Sequence, residues 1–84
     1  MSIWKADFEG HEIKIENSWR GEKLYVNSRL QDEKINFSSS SDLTGHVMSK
    51  DGKRLPIKVH IGGIFTIGCR LFVDDEKVEV AKVK

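Results

Sequence analysis

Hydrophobic and polar residues alternate along almost the whole chain, a period of two that predicts strands with one buried face. Trp4, Ala6 and Phe8 alternate with Ile3, Lys5 and Asp7 until Glu9-Gly10-His11 interrupts the run. Ile13 and Ile15 alternate with Glu12, Lys14 and Glu16, and Asn17-Ser18 follows. Leu24-Tyr25-Val26 ends in Asn27-Ser28, while Leu30, Ile35 and Phe37 make a looser fourth segment. Ser38 to Ser41, with Asp42, reads as a polar loop. Val47-Met48 runs into Lys50-Asp51-Gly52-Lys53, and Leu55, Ile57, Val59 and Ile61 lead to Gly62-Gly63. Phe65, Ile67, Cys69, Leu71 and Val73 precede Asp74-Asp75-Glu76, after which come Val78, Val80 and Val83. Seven or eight short β-branched segments, with turn signals about every 8 to 12 residues, predict an all-β chain. Residues 29–34 are charged without the i, i+3, i+4 apolar stripe of a helix, so a strand is expected there too.

The second half predicts its own register. Asp51-Gly52 is a strong hairpin signal, and a two-residue type I′ turn there would pair Met48 with Leu55 and His46 with Ile57. At Gly62-Gly63-Ile64 an odd loop would pair Ile61 with Phe65, Val59 with Ile67, Ile57 with Cys69 and Leu55 with Leu71. That choice gathers all eight onto one face, whereas a two-residue loop would split them. Ile64 then sits at a loop tip. Pro56 lacks the N–H expected to face the next strand, which predicts either a bulge around Gly68 to Arg70 or pairing that begins after Pro56.

Leu24-Tyr25-Val26-Asn27-Ser28 is echoed by Leu71-Phe72-Val73-Asp74-Asp75, and upstream Ile13-Lys14-Ile15 is echoed by Val59-His60-Ile61. Duplication and chance likeness between hairpins both account for the echo. Either way, two similar meanders packed face to face would make an antiparallel β-sandwich or flattened barrel.

Size and charge narrow the class. Eighty-four residues with 38% hydrophobic and 32% charged side chains predict one domain over residues 1–84, since two would each be too small to build a core. A net charge of +1 argues against a nucleic-acid partner, which calls for a clustered basic stripe. The longest uncharged run, Val59 to Cys69, contains His60 and is too short to span a bilayer, so no membrane partner is expected. With Trp4, Lys5 and Asp7 after Met1 instead of an apolar run, no secretory leader is expected, and a lone Cys69 implies a reducing compartment; the expected location is cytoplasmic.

Candidate chemistry is sparse. A thiol nucleophile needs a base within hydrogen-bond reach, and in the expected register His60 faces away from Cys69 and His46 lies about two strand spacings, about 10 Å, from it. Cys69 therefore reads as a core residue, His46 as a core-side histidine bonded to backbone, and His11 as a turn residue. No histidine or cysteine spacing matches a metal site, and Asp74-Asp75-Glu76 reads as a solvated turn. No cofactor and no enzymatic activity are expected. Trp4, Trp19, Tyr25 and Phe72 offer aromatic surface instead.

The segments Trp4 to Gly10, Glu12 to Ile15 and Leu24 to Asn27, with Cys69 to Asp74 repeating the scheme, resemble one repeat of the Fas apoptotic inhibitory molecule family. The block Trp19 to Val26 is also similar to one in small uncharacterised bacterial proteins. The resemblance implies a compact antiparallel β-sandwich engaged in non-enzymatic protein interaction, with no catalytic residues to carry across. Ser28 and Asp75 stand where that family has glycine. The expected function is thus a protein-interaction module whose partner is another protein, a second copy included. Its binding candidates are Trp19, Tyr25, Ile64 and Phe72. The alternative is a small-ligand or carbohydrate module stacking its ligand on Trp4 and Trp19.

Overall fold

The computed structural model describes residues 1–35, 40–63 and 66–84. The described residues form strands β1 (Ser2–Phe8), β2 (His11–Ser18), β3 (Gly21–Val26), β4 (Arg29–Lys34), β5 (Ser40–Met48), β6 (Arg54–Gly62), β7 (Gly68–Val73), β8 (Glu76–Val78) and β9 (Ala81–Lys82). They build two antiparallel sheets, one ordered β4-β3-β2-β1-β9 and the other β5-β6-β7-β8. The fold is all-β and sandwich-like, with more strands than alternation alone predicts because the short β8 and β9 count separately. Part of the expected polar loop is strand: β5 already begins at Ser40. Phe37 and Ser38 lie outside the described residues. Among the described residues no helix is long and apolar enough to cross a membrane.

Three hairpins close on two-residue turns whose central residues both have positive φ. These are Glu9-Gly10 (48° and 85°), Asn27-Ser28 (51° and 68°) and Asp74-Asp75 (52° and 64°). The flanking pairs are Phe8 with His11, Val26 with Arg29 and Val73 with Glu76. This is type I′ geometry, whose twist matches that of the strands it joins. The two echoed segments are therefore alike in structure, each a strand followed by a type I′ turn, with Leu24 and Val26, or Leu71 and Val73, turned inward.

The Asp51-Gly52 hairpin differs from expectation by one residue. Ser49 N–H donates to Lys53 C=O (2.8 Å), so the loop has three residues, with Gly52 at φ 82°. Met48 pairs with Arg54, Val47 with Leu55, and His46 with Pro56. The slip reverses both faces of β5, burying Leu43 and Val47 and exposing Met48. The expected register would have turned those two side chains to solvent, which burial forbids.

In the next hairpin Ile61 pairs with Cys69, Val59 with Leu71 and Ile57 with Val73, four residues beyond the expected partners. An even shift keeps every face, so Leu55, Ile57, Val59, Ile61, Cys69 and Leu71 still join one core. Ile67 does not: it precedes β7 and is exposed. Ile64 and Phe65 lie outside the described residues. No bulge occurs at Gly68 to Arg70; β6–β7 pairing starts at Ile57, after the proline. Pro56 C=O accepts from Asp74 N–H (2.9 Å). A residue in an antiparallel strand directs its N and O to the same side, so the missing N–H faces a turn where the ladder has ended.

The inner faces share one core. Trp4, Ala6, Ile13, Ile15, Leu24 and Val26 come from the first sheet, and Leu43, Val47, Ile57, Val59, Ile61, Leu71 and Val73 from the second. One acid joins them. Glu22 occupies an inward position of β3, accepts from Ser41 Oγ of β5 (2.6 Å), and leaves Oε2 without a partner among the described residues.

Candidate functional site

Of the predicted binding residues, the three that are described, Trp19, Tyr25 and Phe72, lie apart. Trp19 lies in the β2–β3 turn and is 78% exposed. Tyr25 sits half-buried on the outer face of the first sheet, with the Lys14 ammonium 4.6 Å from its ring centroid. Phe72 is half-buried on the outer face of the other sheet, and Ile64 lies outside the described residues. Trp4 is a correction: at 4% exposure, inward from β1, it is a core residue and offers no stacking platform.

Around Trp19, however, there is a hollow of about 640 Å³ lined also by Met1, Arg20, Lys23, Glu33 and Ile35. The turn that presents the indole is pinned locally. Ser18 Oγ accepts from Arg20 N–H (3.2 Å) and donates to Gly21 C=O (3.4 Å), and the Arg20 guanidinium lies 5.1 Å from the Trp19 ring. Gly21, at φ 136°, packs against the Lys34 carbonyl where a Cβ would collide. Met1, Trp19 and Ile35 are all strongly exposed, so apolar surface gathers at this end of the first sheet. Alternation alone placed Ile35 in a strand; its exposure follows from β4 ending at Lys34.

Two of the three histidines differ from expectation, and His60 faces away from Cys69 as expected. His46 is on the outer side of β5, and its Nδ1 is 3.1 Å from Arg54 Nη2, not bonded to backbone. His11 opens β2, its Nδ1 2.9 Å from Asn27 Nδ2. His60 Nδ1 pairs with Asp42 Oδ1 at 2.8 Å. Neither His60 nor His46 faces Cys69: His60 lies opposite Arg70 on the outer face, and His46 lies opposite Pro56. Burial pushes the Cys69 thiol up from its ordinary 9.0 to about 11, which leaves little thiolate near neutrality. Asp74-Asp75 is the solvated turn expected, with Asp75 3.5 Å from Lys58 Nζ. Among the described residues no group of three or more His, Cys, Asp or Glu side chains is arranged to hold a metal ion. No family model, curated protein or solved structure matches this chain.

Proposed function

We propose that this chain is a non-enzymatic, cytoplasmic protein-interaction module that docks a second copy of itself through the Trp19 end. The observation that carries this reading is the exposed indole in a hollow shared with Met1 and Ile35. Tryptophan and arginine anchors dominate interface energetics when a partner desolvates them. Charges of both signs line the hollow, which suits contact between two identical surfaces, although Lys23 already pairs with Glu33 (3.6 Å) and Glu16 with Lys14 (3.3 Å) in the same chain. The free, poorly ionised Cys69 thiol supports a reducing compartment and a role without nucleophilic chemistry. The resemblance to the Fas apoptotic inhibitory molecule family supports the same class of role. For the carbohydrate alternative, Trp19 remains as a single platform and Trp4 contributes none.

Light scattering over a concentration series tests the proposal. The wild type is expected to pass from monomer toward dimer mass as concentration rises into the micromolar range, and Trp19→Ala to stay monomeric. A monomeric wild type throughout overturns self-docking.

A further inference from the structure

At the end of the sandwich opposite Trp19, a cleft of about 400 Å³ runs between the two sheets. From the first sheet it takes His11, Asn27, Arg29 and Gln31; from the second, His46. Val47 and Met48 supply an apolar wall. Among the described residues no acid lines it.

The hydrogen bonds around it fix which atoms are donors. Asn27 Oδ1 accepts from Glu12 N–H (3.0 Å), so the amide cannot be flipped, and its Nδ2 must be the atom facing His11 Nδ1. An amide nitrogen only donates; His11 Nδ1 therefore accepts, and the ring carries its proton on Nε2. The same logic holds for His46, whose Nδ1 faces a guanidinium that has donors only. Gln31 Oε1 is occupied by His46 N–H (2.7 Å), which leaves its Nε2 group as donor. The Arg29 side chain is engaged by no ion pair or hydrogen bond among the described residues. Acids at this end are turned elsewhere: Glu9 accepts from Lys50 N–H (2.9 Å) and Asp51 from Ser49 Oγ (2.7 Å).

Two histidines with the proton on Nε2, a glutamine amide and the Arg29 guanidinium thus line one cleft that, among the described residues, has no acid in its wall. From this we propose that the cleft binds a small organic phosphate, its oxygens taken by His11, Arg29, Gln31 and His46 and its carbon part laid against Val47 and Met48. Four donors from separate strand positions suit the three terminal oxygens of a phosphate better than the planar pair of a carboxylate. The volume lies within the range of small-molecule sites.

The test is a nitrogen-15 NMR titration of the whole chain with phenyl phosphate, and with benzoate in parallel. Expected are saturable shifts confined to the His11 and His46 rings, Arg29 and the Gln31 amide, with phenyl phosphate the tighter ligand. Arg29→Ala is expected to weaken binding roughly tenfold or more, the effect of losing one charge-assisted hydrogen bond. Arg70→Ala, on the outer face of β7, should leave it unchanged. Shifts spread over all lysines and arginines, insensitivity to Arg29→Ala, or benzoate binding as tightly as phenyl phosphate would overturn the assignment.

Discussion

Gln31 Oε1 accepts the backbone N–H of His46 at 2.7 Å, and the next residue, Asp32, accepts that of Thr44 at 2.8 Å. Consecutive strand residues ordinarily point to opposite faces. Here the register of β3 and β4 shifts between Leu24 and Tyr25, with Leu24 opposite Asp32 and Tyr25 opposite Leu30. Gln31 is the extra residue of a bulge, and the bulge lets both side chains reach the same neighbour. What they reach is the outer edge of β5, a row of donors that an uncovered edge would offer to another chain. Gly45, between the two bonded residues, has no room for a Cβ, which would strike Gln31 Oε1 and Leu24 Cδ2.

Removing this seam should open the edge. Gln31→Ala and Asp32→Ala are each expected to destabilise by about 1 kcal/mol. Amide exchange at His46 and Thr44, respectively, should accelerate while that of Val59 in the central strand changes least. Gly45→Ala should cost about 1–3 kcal/mol through overpacking. Urea unfolding and hydrogen exchange check both; unchanged exchange at Thr44 and His46 refutes the seam.

Two turns hold a non-glycine residue where glycine is better suited. Ser28 and Asp75 occupy the second central position of type I′ turns at φ 68° and 64°. Left-handed backbone costs an L-residue about 1–2 kcal/mol. Ser28→Gly and Asp75→Gly are each expected to stabilise by about 1 kcal/mol, or roughly 4–8 °C in Tm. The exposed Asp75–Lys58 pair lost in the second case should subtract little. Thermal unfolding decides it, and a fall in Tm for both would show that the turns are not strained.

The two tryptophans should separate cleanly. Trp4→Ala empties a core position and is expected to cost about 3–5 kcal/mol. Trp19→Ala, at a 78% exposed turn, should change monomer stability by less than about 0.5 kcal/mol. Fluorescence of each single-tryptophan variant provides an independent reading, with Trp19 readily quenched by iodide and Trp4 shielded.

Cys69 predicts a loss of stability at alkaline pH. Its folded pKa, about 11, is raised above the ordinary 9.0, so the native state retains a proton that the unfolded chain releases. Stability from this group is full below pH 9 and falls as pH rises toward 11. Replacing Cys69 by Ala should remove that part of the slope, measured by urea unfolding across the alkaline range. The native thiol should also react slowly with Ellman's reagent near pH 8; reaction at the rate of a free thiol would contradict its burial.

Alternation told which residues face inward on most strands, because a strand has no other period. Ile13, Leu24, Ile57 and Leu71 all follow it, and Glu22 shares its parity with Leu24 and Val26. A loop is a different matter. The displaced β6–β7 register still gathered the same inward set because its error was even. The β5–β6 register, wrong by one, misassigned His46, Val47 and Met48, and only packing against Leu55 and Ile57 decided between the two loops.

The Trp19 hollow and the histidine cleft belong to the second kind of information. Each depends on which turns meet at one end of the sandwich, and no local pattern in residues 1–35 says that His11 and Arg29 will face His46. The sequence by itself determined the strand period, the inward faces of most strands and the places where the chain turns, since these arise from neighbours in the chain. Loop length, the Gln31 bulge and the pairing of β4 with the edge of β5 were settled only by tertiary structure. They follow from burying two inner faces against each other, a condition that no single segment carries.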